Sequence, residues 1–321
     1  MVQIGYTMMS EQAPARQLVD DAVTAERVGF DFAALSDHYF PWLDEQGHSP
    51  HAWPVLGAAA HATDRIPLMS YVTCPIMRYH PAVVAQKAAT VGVLSEGRFS
   101  LSLGSGENLN EHVIGQGWPP VDTRHEMFDE AIEIIHALLG GDYITYHGRH
   151  FDVDSARLYD LPETQVPIGV AASGSQSAEI AAQRGDYLVV NTPSPDVVQR
   201  FQSEGGEGKP VYGQLPVSYD TDAEAAKARA HEQFRWMAAG WKVMAELPGP
   251  VNFAAYTEYV RPDDVAQAVP CGTDVDAVVD GVKQYVDAGF THVALVQIGG
   301  DQQQPFFDWA EKELLPALRE L

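Results

Sequence analysis

The sequence predicts an α/β protein built as one (β/α)8 TIM barrel with insertion segments, and three observations predict it. Strand-like and helix-like patterns alternate from the first residues. Seven or eight such repeats fill a chain of 321 residues, enough for one large barrel. No Gly-x-Gly-x-x-Gly follows the first strand, as a doubly wound dinucleotide-binding half would require.

The elements follow in order. Residues 2–6 read as a short strand, and 13–28 as an amphipathic helix with Leu18, Val19, Ala22 and Val23 on its apolar face. Residues 32–35 form the second strand, with its helix after Pro54. Residues 66–73 give the third strand, followed by a helix from Pro81, a favoured first-turn residue, to Leu94. The fourth strand spans 98–103 and the strongly periodic helix after it 123–139. The alternation over 143–153 predicts a β-hairpin turning at His147-Gly148. The barrel rhythm resumes with a strand at 167–172, a helix at 175–184 and strands at 187–190 and 211–219. A long helix covers 223–239. Residues 240–261 are aromatic-rich and read as irregular; helix 274–288, strand 292–297 and helix 305–318 close the chain. The expected organisation is a single domain, 1–321, with a hairpin insertion at 143–165 and a loop insertion at 240–261 near the barrel mouth.

Composition narrows the function. Acids outnumber bases 44 to 20, a net charge of −24, which repels phosphate backbones and anionic lipid. No nucleic-acid or membrane partner is expected. No apolar run is long enough to cross a bilayer and no leader pattern opens the chain, so a cytoplasmic protein is expected. Two cysteines, Cys74 and Cys271, suggest neither a disulfide framework nor a thiolate metal site. No metal is expected: His112, His125, His147 and His150 lack the spacing of a ligand cage and read as surface or hairpin residues. Glu126, Asp129, Glu130 and Glu133 read as a solvated helix face. Trp236 and Trp241 read as core, with a lid over the mouth as the alternative.

In a parallel barrel the C-terminal strand ends carry the chemistry. The second strand ends in Asp37, His38 and Trp42: a charge, a proton-transfer group and an aromatic wall. The same residues are compatible with a polar turn. The third strand offers Tyr71, Val72, Thr73, Cys74 and Pro75. The fourth offers Gly104-Ser105-Gly106-Glu107, where glycine lets backbone approach a flat ligand, with Asn108 and Asn110 behind. The fifth offers Ala171, Ala172, Ser173, Gly174 and Ser175 at a helix start, either a simple N-cap or an anion site built from free N–H groups.

Four motifs in this order, SDHYFPW (36–42), YVTCPIMRYHPAVVAQ (71–86), GSGENLNE (104–111) and VPIGVAASG (166–174), resemble the luciferase-like flavin and deazaflavin superfamily. Within it the chain is most similar to the F420-dependent glucose-6-phosphate dehydrogenase family, over essentially its whole length. The resemblance implies a homodimeric barrel that binds coenzyme F-420 (F420), an 8-hydroxy-5-deazaflavin hydride carrier. It implies that Asp37, Tyr71, Val72, Cys74, Gly104, Ser105, Gly106, Glu107, Asn110, Ala172, Ser173, Gly174 and Ser175 line the cofactor, with a non-proline cis peptide near Tyr71-Val72. It implies catalytic roles for His38 as general base, Glu107 as proton donor or charge balance at the ring, and Trp42 as stabiliser of the intermediate. An imidazole suits proton removal near neutrality, and an acid beside a ring nitrogen suits proton delivery.

The chain departs from the family where sugar phosphate is held. Asn191-Thr192-Pro193-Ser194-Pro195 carries no lysine, and the expected arginine position falls on Ala268; Lys242 and Arg261 are the only bases nearby. Losing charge-assisted phosphate contacts at about 1.5–3 kcal/mol each removes most affinity for such a ligand. The expected substrate is therefore a neutral alcohol or carbonyl compound rather than a sugar phosphate. The alternatives are a sugar phosphate, or FMN-dependent monooxygenation.

Overall fold

The computed structural model describes residues 1–321. Eight parallel strands close into a barrel: β1 (Gln3–Met8), β2 (Phe32–Leu35), β3 (Leu68–Ser70), β4 (Phe99–Leu103), β7 (Ile168–Ala171), β8 (Tyr187–Val189), β9 (Val211–Val217) and β10 (His292–Gln297). The remaining two, β5 (Ile144–His147) and β6 (Asp152–Ala156), form the antiparallel hairpin, with Tyr146 opposite Val153. The order around the barrel is β1-β10-β9-β8-β7-β4-β3-β2. Register is tight: Gly5 pairs with Phe32 on one side of β1, and Gln3 with His292 on the other.

The principal helices are α1 (Ala15–Val28), α2 (Ala52–Ala62), α3 (Pro81–Leu94), α4 (Asn108–Glu111), α5 (Val121–Leu139), α6 (Ser175–Arg184), α7 (Pro195–Phe201), α8 (Ala223–Phe234), α9 (Trp241–Met244), α10 (Pro250–Tyr256), α11 (Pro262–Ala266), α12 (Val275–Asp287), α13 (Gln303–Trp309) and α14 (Leu315–Leu318). Local chemistry explains several ends. Gly29, at φ 100°, closes α1 in the left-handed region that glycine tolerates. Asp222 and Asp274 cap α8 and α12 by accepting two backbone N–H groups each.

Four expectations are corrected. The third strand ends at Ser70, before a cis Tyr71-Val72 peptide, and pairing resumes only at the Thr73–Leu103 bridge. The long helix over 223–239 stops at Phe234 and tightens into a 3-10 turn. The segment 240–261 is helical rather than irregular, carrying α9 and α10, the latter started by Pro250. The closing helix widens over Ala310–Leu314, because Pro316 has no N–H to continue the ladder.

Side chains alternate across each strand, so every second residue enters the barrel. Phe32, Ala34, Met69, Tyr71, Tyr187, Val189 and Ala294 form one interior cluster. Gly5 and Gly169 make room for it: a Cβ on either would collide with the ring of Phe32 or Tyr187. Phe32, Tyr212 and His292 meet at the strands' N-terminal ends, the last two stacked at 4.0 Å. The outward residues pack with the helices in the main core.

Candidate active site

Alternation along and beyond β2 decides the fate of the 36–42 segment. Ser36 and His38 share the inward parity of Ala34; Asp37 points the other way. His38 is buried, and its Nδ1 lies 3.1 Å from the Phe40 carbonyl and 3.5 Å from Glu11 Oε1. Two acceptors facing Nδ1 place the proton there and leave Nε2 as the basic nitrogen. Glu11 is 1% exposed; its Oε2 accepts from Ser36 Oγ at 2.5 Å and Ser10 Oγ at 3.1 Å. The Trp42 ring stands 4.9 Å from His38, stacks on Trp236 at 4.3 Å and 7°, and meets Phe253 edge-on at 5.1 Å.

Asp37 is enclosed by donors. Its oxygens accept from Thr73 Oγ1 (2.8 Å), Trp53 Nε1 (3.1 Å), Arg78 Nη2 (3.1 Å) and Tyr79 Oη (3.3 Å). Asn110 is likewise engaged: Oδ1 accepts from the N–H groups of Tyr39 (2.8 Å) and Phe40 (3.3 Å), and Nδ2 donates to Glu107 Oε2 at 3.3 Å. Asn110 thus joins the His38 loop to Glu107. Cys74 lies beneath Gly106, where an added Cβ would strike its Sγ; burial pushes its thiol well up. Tyr71 is buried inside the barrel.

The half-buried residues at the mouth are Val72, Ser105, Glu107, Ala171 and Gly174. Gly104 packs on Val72, and Gly174 faces open space, with nothing within 4 Å of an added Cβ. The first-turn N–H groups of α6 have no intrahelical acceptor, and no side chain caps them. Ser177 Oγ accepts instead from the N–H groups of Ser173 and Gly174, just outside the helix. Ala172 is buried while Ser173 and Ser175 are exposed. A flat, phosphate-bearing cofactor fits this donor set: glycine-backed walls on β4 and an uncapped ten-residue helix on β7.

Over the other side of the mouth, Trp42, Leu109, Phe234, Met244, Phe253, Val265, Val296 and Ile298 belong to a second apolar cluster, with Trp236 and Trp241 packed against it. It is tied down where Asn108 donates from its backbone to Ala245 O and from Nδ2 to Glu246 O, both at 3.0 Å. The bases around it are committed or outward. Arg261 pairs with Asp264, Arg235 with Glu45, and Arg124 with Glu246, while Lys242 is exposed.

Two sequence readings change. His112 is half-buried, stacked on Phe40 at 5.8 Å. Glu130 caps the hairpin by accepting from Arg149, His150 and Phe151 N–H groups. Residues the sequence reading missed are Glu11, Ser36, Arg78, Glu111 and Phe253; Trp236, read as core with a lid as the alternative, stacks on Trp42.

A closed parallel barrel with a histidine, an aromatic wall and a glycine-backed cleft at one rim defines the class, and comparison supplies the family. The luciferase-like monooxygenase family model matches residues 2–292, and the chain belongs to that family. Among its relatives, an F420-dependent glucose-6-phosphate dehydrogenase of Beutenbergia cavernae is 35% identical, covering 99% of this chain and 98% of that one. One from Nocardia farcinica is also 35% identical, over 100% and 99% of the two chains. Among solved structures, an F420-dependent secondary alcohol dehydrogenase in complex with an F420-acetone adduct superposes with a TM-score of 0.91 at 28% identity, covering 99% of both chains. An F420-dependent tetrahydromethanopterin reductase from Methanopyrus kandleri shares the fold (TM-score 0.76, 21% identity, 99% of each chain).

Proposed function

We propose that this chain is a coenzyme F420-dependent oxidoreductase that moves a hydride between the deazaflavin and the carbon of a small neutral alcohol or carbonyl compound. One observation carries the substrate reading: a histidine beside a buried glutamate stands against an aromatic wall whose nearest arginines, Arg235 and Arg261, are paired with acids. The F420-dependent relatives and the F420-acetone complex support the cofactor. When bound, the deazaflavin supplies the two-electron chemistry.

The chain's own groups do the rest. His38 Nε2 takes the hydroxyl proton, and Glu11 holds the imidazole in the tautomer that exposes that nitrogen. Glu107, half-buried beside the cleft, supplies or balances a proton at the ring. Trp42, fixed by Trp236 and Phe253, keeps water from the reacting carbon. Gly104–Glu107, Val72 and the 172–175 turn hold the cofactor, with Asp37, Tyr71, Cys74 and Asn110 shaping the cleft from behind. The whole chain acts as one barrel, as a cytoplasmic homodimer with a small-molecule substrate. No helix is long and apolar enough to cross a membrane.

The test mixes purified protein with F420 and either propan-2-ol or glucose 6-phosphate, following loss of the deazaflavin absorbance. Bleaching with the alcohol alone is expected. The names of the relatives favour a second reading, sugar-phosphate oxidation with Lys242 as the phosphate contact, and faster turnover of glucose 6-phosphate would establish it. Titration with FMN against F420, read by quenching of tryptophan fluorescence, separates both from a monooxygenase.

A further inference from the structure

His38 and Glu107 sit on loops after β2 and β4, and the strand between them ends early, at Ser70. Asn110 ties the His38 loop to Glu107 from one side, and a second tie lies behind it. Arg78, in the loop after β3, reaches both neighbours. Its Nη2 donates to the carbonyl of Asp37 at 2.9 Å, the residue directly before His38, and to Asp37 Oδ1 at 3.1 Å. Its backbone N–H donates to Glu111 Oε2 at 2.7 Å, and its Nε lies 3.5 Å from Glu111 Oε1. Glu111 belongs to α4, and its N–H donates to the Glu107 carbonyl.

We propose that Asp37, Arg78 and Glu111 form a clamp that sets the distance between base and acid, with Arg78 as a positioning residue that touches neither ligand. The proposal rests on the roles given above to His38 and Glu107. The side chains are 1%, 9% and 0% exposed respectively, so three charges lie almost out of water. Such groups are weak net stabilisers, because desolvation offsets their attraction, and a role in fixing geometry accounts for their place here. Arg98 gives the contrast. It is the same residue type tied to three carbonyls and a hydroxyl, all at the opposite end of β3 and β4. Glu111 faces Arg78, Glu107, Asp37 and Cys74, and burial pushes its carboxyl up to about 7.

The experiment compares Arg78→Lys and Glu111→Gln with Arg98→Lys, the control for general loosening. In the apo protein, the His38 ring resonance (assigned by its absence in His38→Gln) should move in the first two variants and stay in the third. This readout needs no substrate, so it stands even where no alcohol is turned over. With the alcohol the wild type oxidises, kcat should fall about ten- to hundredfold in Arg78→Lys with KM nearly unchanged, as expected of a small misplacement. In a Glu107→Gln background the same substitution should cost less than about threefold, because the geometry it protects no longer matters. An unmoved His38 resonance, equal effects in Arg98→Lys, or fully multiplicative losses would each overturn the clamp. If Arg78→Lys does not fold, Glu111→Gln carries the same measurements.

Discussion

Two parts of the chain treat charge in opposite ways. Glu11, Asp21, Asp37, His38, Glu111 and Arg124 are buried, and beyond Arg124 no charged side chain is. On the β1–β4 side of the mouth, buried charges hold one another and the histidine. On the far side, α8 to α11 and β10 contribute apolar and aromatic side chains to the cluster that holds Trp42. On the roles proposed above, proton handling and substrate contact are divided between the two halves. Chemistry can stay fixed on one rim while the other changes what it admits.

The division breaks most visibly at His38. His38→Ala should lower kcat by about 10²–10⁴ while F420 affinity, measured by fluorescence titration, changes little; equal loss of binding would mean the residue serves the cofactor instead. Glu11→Gln sharpens the same point. It should cost about tenfold or more in kcat, since an amide can hold the imidazole in the wrong tautomer. On the apolar rim, Trp236→Ala should raise KM for the alcohol with kcat largely kept. The lost stacking should remove about 0.5–1.5 kcal/mol of stability, read from denaturant melts.

The buried acids give a pH signature. Burial pushes the Asp21 and Glu111 carboxyls up to about 7, so the folded chain keeps protons that the unfolded chain releases above about pH 4. Their contribution is fullest in acid and is lost as pH rises through 7. His292 acts oppositely: burial lowers it to about 4, so stability falls as pH drops from about 6.5 toward that value. Thermal melts should therefore peak in mildly acid buffer and decline toward pH 8, and Asp21→Asn should recover on the order of 1–2 kcal/mol at pH 8. The smallest effect belongs to Arg261→Ala. Its pair with Asp264 is exposed, and turnover of glucose 6-phosphate and of alcohol should both be unchanged.

How much of this was legible in the sequence follows from which forces act locally. The barrel was, because apolar runs and capping residues are local signals. The inward aim of His38 was implicit too, since Ala34, Ser36 and His38 share one parity, which equally sends Asp37 outward to Trp53 and Thr73. Glu11 was not: a Ser-Glu-Gln after a strand reads as a helix start, and only the register between β1 and β2 brings it to Ser36, 25 residues on. The Trp42–Trp236 stack is equally non-local, and short helices such as α9 carry too few residues for a periodic signal.

The floor of the barrel has one more consequence. Phe32, Tyr187, Tyr212 and His292 pack together at the end opposite the mouth and plug it with side chains. Such a plug leaves the rim at the strands' C-terminal ends as the route for water, proton, product and incoming ligand alike. A shared opening of that kind would make the order of entry and release something that product-inhibition patterns can read.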